Sequence, residues 1–71
     1  MEELLKQIAD LLEEDSVDTE KKFADYDGWD SFTRLSVLAL LDSSYHTAMT
    51  YQDLENFKSI GEFCKEVMAR Q

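Results

Sequence analysis

Ser31 is the residue of this chain best placed to do chemistry. It lies in Gly28-Trp29-Asp30-Ser31-Phe32, where an acidic loop meets an apolar run. Leu35, Leu38 and Leu41 then recur at helical spacing until Ser44-Tyr45-His46-Thr47 closes the run, so a helix is expected to begin at Asp30 or Ser31. That puts Ser31 in the first turn, where unpaired backbone N–H groups and the positive end of the helix dipole gather. A phosphate esterified to its hydroxyl would lie in a favourable field there. The plainer reading of an Asp-Ser pair at this place is a helix cap, since both residue types are preferred there whatever the function.

Three other chemistries fare worse. A serine hydrolase needs a base beside the hydroxyl, but His46, the single histidine, falls at the far end of the helix that Ser31 begins. A straight helix of that length separates them by about 20 Å. His46 reads instead as a loop residue near a helix C-terminus, where positive charge is mildly favoured. Glu13-Glu14-Asp15 and Asp25-x-Asp27 lack the ordered ligand spacing and central glycine of a calcium loop, so no metal site is expected. The lone cysteine, Cys64, has no partner for an internal disulfide and sits on an apolar stripe, which reads as a core position.

Four segments must position Ser31. Leu4, Leu5, Ile8, Leu11 and Leu12 form one apolar face, with Glu2, Glu3, Lys6, Gln7, Asp10, Glu13 and Glu14 opposite, which predicts an amphipathic first helix ending near Asp15. A loop of about a dozen residues follows, long for a small domain, with Phe23, Tyr26 and Trp29 available to pin it. Trp29 reads first as a packing residue anchoring the end of that loop. The second helix, about Ser31 to Ser44, carries Leu35, Val37, Leu38, Ala39, Leu40 and Leu41 almost all round. It is therefore central in the bundle, partly offered to a partner, or both. Thr50, with Asp53 three residues on, caps a short helix around Tyr51–Asn56. Ser59-x-x-Glu62 is the clearer capping box and opens a last helix with the stripe Ile60, Phe63, Cys64, Val67 and Met68.

Composition limits what such a chain can be. Seventy-one residues, 44% of them hydrophobic, with no proline and two glycines, make one all-helical domain over 1–71. The net charge of −9 disfavours nucleic acid and favours basic protein surfaces as partners. That charge is lopsided. Residues 1–30 hold eleven acids and three bases, net −8, and residues 31–71 hold five acids and four bases, net −1. No apolar run approaches a membrane span, and Met1-Glu2-Glu3 lacks the basic and apolar regions of a signal peptide, so a cytoplasmic, monomeric protein is expected.

Taken together, Asp30-Ser31-Phe32, the preceding Gly28-Trp29, the short third helix at Met49-Thr50-Tyr51-Gln52-Asp53-Leu54 and the Ser59-Ile60 start of the last helix resemble the acyl carrier protein family. Its members carry an Asp-Ser-Leu box at the head of the second helix. The resemblance runs from about Phe23 to the C-terminus. It implies a four-helix bundle of acyl-carrier type, with three longer helices, one short third helix and a long loop after the first. It further implies that a phosphopantetheinyl transferase attaches 4′-phosphopantetheine from coenzyme A to Ser31, and that the arm then carries acyl or aminoacyl groups as thioesters between loading and transferring enzymes. The protein itself would catalyse nothing. Trp29 would flank the arm, Phe32 would lie beside it in the cofactor-binding site, and Asp30 would be part of that site and of the negative entrance that basic transferases recognise.

One departure stands out. Carriers of the fatty-acid type bear several acids along the outward side of the second helix, whereas here the corresponding positions are Thr33, Ser36, Ala39 and Ser43, with Arg34 adding positive charge and only Asp42 acidic. Partner contacts are therefore expected from Asp25, Asp27, Asp53 and Glu55 together with Thr33, Arg34, Ser36, Ala39, Leu40 and Asp42. This pattern points to a specialised free-standing carrier of aminoacyl, polyketide, nonribosomal peptide or surface-polysaccharide pathways. The competing class is an unmodified helical interaction module that grips a partner with the apolar part of the second helix.

Overall fold

The computed structural model describes residues 2–71. Among them are four α-helices, α1 (Glu2–Leu12), α2 (Ser31–Ser44), α3 (Tyr51–Asn56) and α4 (Ile60–Ala69), with a 3₁₀ turn at Phe23–Asp25 and no strand. None of these helices is long and apolar enough to cross a membrane. The expected layout of three longer helices, one short one and a long first loop is present. The core is built from one stripe per helix: Leu4, Ile8 and Leu12 of α1, Val37 and Leu41 of α2, Leu54 of α3, and Ile60, Phe63, Cys64 and Val67 of α4, with Phe23 from the loop.

α1 stops at Leu12, three residues before the expected end. The Glu14 N–H donates to Ala9 O at 2.9 Å and the Glu13 N–H to Asp10 O at 3.1 Å, which closes the last turn as a Schellman motif. Glu13 takes the left-handed position at φ 60°, a conformation that a Cβ makes unfavourable and glycine adopts freely. A carboxylate also opposes the negative end of the helix dipole. Glu13→Gly is therefore expected to raise the unfolding free energy by about 0.5–1 kcal/mol, the relief of strain outweighing the added freedom of the unfolded chain. Urea denaturation followed by circular dichroism measures it, and a loss of stability would contradict this account of the turn.

The long loop is tied down at several points. The Asp25 carboxylate accepts the Lys22 N–H at 2.9 Å, forming the 3₁₀ turn, and the Tyr26 hydroxyl accepts the Asp18 N–H at 2.7 Å. Phe23 stacks on Trp29 with centroids 4.5 Å apart and meets the edge of Phe63 at 5.0 Å. The carbonyls of Lys21 and Thr19 accept the N–H groups of Ile60 and Gly61, each at 2.8 Å, so the loop satisfies donors that α4 cannot pair internally. Ser59 Oγ accepts the Glu62 N–H, but the Glu62 carboxylate takes the N–H of Lys58, one residue before the cap, in place of the reciprocal bond of a capping box. At α3 the Thr50–Asp53 box forms in both directions.

α2 lies along one side of the bundle. Val37 and Leu41 are fully buried and Leu38 and Leu40 are half-buried, while Phe32, Leu35 and Ala39 face outward. Cys64 is a core residue, and burial pushes its thiol up to about 11, so it stays protonated and unreactive in the folded protein.

Candidate functional site

Ser31 is the first residue of α2, and the structure around it is a tight local knot. Asp30 is the N-cap, in extended conformation, and its Oδ1 accepts the Thr33 N–H at 2.8 Å. Thr33 is buried and its hydroxyl donates to Gly28 O at 2.8 Å. Gly28 presses against the last turn of α1, so close that a Cβ there would lie 2.5 Å from Leu12 O. The end of α1, the end of the long loop and the start of α2 thus meet within a few residues. Ser31 is exposed beside that junction.

The Ser31 hydroxyl has a cation next to it. Arg34, one turn on, donates from Nη2 to Ser31 Oγ at 3.3 Å and from Nη1 to Glu55 Oε1 of α3 at 3.2 Å. Its guanidinium lies 5.6 Å from the centre of the Tyr51 ring. Its Nε is buried and has no hydrogen-bond partner among the described residues. Nearby, Phe32 is 76% exposed and Leu35 55%. These are the two most exposed large apolar side chains of the described residues, and both flank Ser31. A cleft of about 320 Å³ lies between the end of α1 and the start of α2, lined by Asp10, Leu11, Glu13, Gly28, Asp30, Phe32 and Thr33.

The cap changes the electrostatics expected of the helix start. Asp30 uses the Thr33 N–H for itself, so that donor is already paired and an anion on Ser31 would face a carboxylate one residue away. The same bond, chiefly from the Thr33 backbone N–H, holds the Asp30 carboxyl below its ordinary value. A carboxyl whose folded pKa is lowered stabilises the fold above its unfolded value and loses that contribution as pH falls through the lowered one. Asp30→Asn keeps an oxygen that can cap but cannot titrate. The variant is therefore expected to show a shallower acid limb than the parent below about pH 4 in thermal melts; parallel limbs would remove Asp30 from the acid response.

The remaining residues expected at the site are dispersed. Thr33, expected on the outward side of α2, faces inward because its hydroxyl and N–H bond to Gly28 and Asp30. Ser36 is half-buried and donates to Phe32 O at 3.0 Å, and Leu40 is half-buried against the core. Ala39 and Asp42 are exposed on the outward side with Phe32 and Leu35. Asp25 and Asp27 are exposed in the loop, Asp25 also serving the 3₁₀ turn. Asp53 is exposed and engaged in the α3 cap, and Glu55 is paired with Arg34. Trp29 is half-buried and stacked on Phe23, in accord with its packing role. Sequence reading missed the Arg34–Glu55 link, which joins residues 21 apart on two helices and leaves no local signal, and the contact of Gly28 with α1, for which a glycine before Trp29 was the one available sign.

No protein-family model, curated protein or solved structure matches this chain.

Proposed function

We propose that the chain is a carrier protein that holds acyl or aminoacyl groups as thioesters on a 4′-phosphopantetheine arm attached to Ser31, and that it performs no catalysis itself. The observation that carries this reading is the Ser31 hydroxyl: exposed at the first turn of α2, held among the described residues only by the side chain of Arg34, and flanked by the outward Phe32 and Leu35. The residues present fit a phosphodiester. Ser31 offers an accessible oxygen, and Arg34 offers a cation whose Nη2 is already directed at that oxygen. When attached, the arm supplies the thiol on which cargo is carried.

The chain's own residues present and orient that attachment point. Asp30 and Thr33 fix the first turn, so Ser31 is displayed by a rigid helix start joined to a braced loop. Phe32, Leu35, Ala39 and Asp42 form an apolar face with an acidic edge beside it, suited to brief docking of a transferase and of loading and transferring enzymes. The concentration of acids before Ser31 favours fast encounter with basic partners. A cytoplasmic monomer exchanging cargo among separate enzymes is the setting in which these features serve together. The exposure of Phe32 and Leu35 also favours a second reading, an unmodified helical module that binds a partner through this face.

Intact mass separates the two. Incubated with coenzyme A and a broad-specificity phosphopantetheinyl transferase, the parent protein is expected to gain one phosphopantetheinyl group and Ser31→Ala none. No gain on the parent, or an equal gain on the variant, removes the carrier reading and leaves the binding module.

A further inference from the structure

Arg34 is the one Lys or Arg between Lys22 and Lys58, and its side chain is fastened on two sides. Glu55 holds Nη1, the Tyr51 ring lies under the guanidinium, and Nη2 points at the Ser31 hydroxyl. Only a third of the side chain is exposed, and Nε is buried with no acceptor among the described residues. This is more ordering than a surface arginine needs to meet a neutral hydroxyl oxygen. A hydroxyl is a weak acceptor for a guanidinium, whereas a phosphate oxygen makes charge-assisted bonds that match its planar fork. With the Thr33 N–H consumed by Asp30, the positive charge available at Ser31 comes from this side chain more than from the helix start.

We infer that Arg34 is the positioning residue for a phosphate ester on Ser31, and that Glu55 is the carboxylate that holds the guanidinium in place and competes with the phosphate for it. The inference rests on Ser31 as a phosphoester site, as the carrier reading requires. Its consequences are specific. The phosphate is drawn back along the first turn of α2 towards α3, which orients whatever it carries away from the Asp30 carboxylate. Modification at Ser31 is also felt at Glu55, because one guanidinium then serves two anions.

A phosphoserine placed at position 31 tests this without coenzyme A or a transferase. Its second ionisation, near pH 6, is followed by phosphorus NMR in the folded parent and in Arg34→Gln, Arg34→Lys, Glu55→Gln and the Arg34→Gln/Glu55→Gln double variant, with circular dichroism confirming the helical fold of each. The parent is expected to titrate about 0.5–1 unit below Arg34→Gln, with Arg34→Lys between them. Most of that difference should persist in 1 M salt, where the screening length is about 3 Å and distant charges no longer contribute. Glu55→Gln should lower the value further, and should do so only while Arg34 is present. Equal values in parent and Arg34→Gln, or a Glu55→Gln effect unchanged in the double variant, overturn the inference. Failure of Ser31 to accept phosphopantetheine would remove the carrier reading while leaving this titration result standing. A phosphopantetheinylated parent should in turn show a phosphodiester resonance displaced from that of loaded Arg34→Gln, and coincident resonances would count against Arg34 as the contact.

Discussion

Phe63→Ala is expected to destabilise the protein by about 3–5 kcal/mol, the range for deleting a large buried aromatic. The position is fully buried, and Phe63 is among the largest fully buried side chains. Its ring receives Phe23 at 5.0 Å and Phe57 at 5.6 Å, both edge-on, so the substitution opens a cavity and removes two aromatic contacts from separate segments. A chain of this size has roughly 4–10 kcal/mol to lose, at about 0.05–0.15 kcal/mol per residue. The melting temperature should therefore fall by at least about 12 °C. Because Phe23 stacks on Trp29 in turn, the emission of the single tryptophan should shift towards longer wavelength before the helices melt. Phe63→Leu refills most of the volume and should recover more than half of the loss. A Phe63→Ala cost below about 1.5 kcal/mol would show that the site collapses around the missing ring.

The residue types that make Phe63 central were legible beforehand because α4 has a clean helical period, and Ile60, Phe63, Cys64 and Val67 are the buried residues of that helix. α1 was equally legible in its buried face, but its end was not. The turn that stops it is made by backbone bonds through a left-handed glutamate, and nothing in the Glu13 side chain announces that conformation. The faces of α2 were legible only in part, since a helix apolar nearly all round has a weak period: Ala39 is outward as expected, but Thr33 is buried and Leu35 exposed. Only the structure separates Val37 and Leu41, which are fully buried in the core, from Phe32, Leu35 and Ala39, which face outward. The aromatic residues of the loop pin it as their types predict, whereas the loop's second task, supplying carbonyl acceptors to the start of α4, depends on backbone and is invisible in side-chain types. At the site, Asp30 and Ser31 were legible as a helix start. The Arg34–Glu55 pair and the inward turn of Thr33 depend on how α2 and α3 meet. Local residues thus announced the helix start at Ser31, and tertiary packing decided the charge beside it.

Gly28→Ala is expected to cost about 1–3 kcal/mol, as overpacking does where the neighbours cannot yield. Backbone strain is not the cause, since no glycine of the described residues has positive φ. Space is. The added methyl would lie 2.5 Å from the carbonyl oxygen of Leu12 and 3.2 and 3.3 Å from its carbonyl carbon and Cα, all backbone atoms of the last turn of α1. To relieve the clash, the loop must back away from α1, and the Gly28 carbonyl moves with it. That carbonyl accepts the buried Thr33 hydroxyl, so the movement strains the bond that locks the first turn of α2. Thr33→Val attacks the same knot from the other side, leaving the Gly28 carbonyl without its donor at a cost of about 1–3 kcal/mol. Since both substitutions loosen one junction, the double variant should lose less than the two single losses together; strict additivity would mean that Gly28 and Thr33 act separately. Ser31 lies two residues from Thr33 on the same turn. On the proposed carrier function, Gly28→Ala should therefore slow phosphopantetheine loading without lowering its end point, because the hydroxyl remains present but is no longer held in one place. Loading at the parent rate with the stability loss intact would show that the transferase orders this turn for itself.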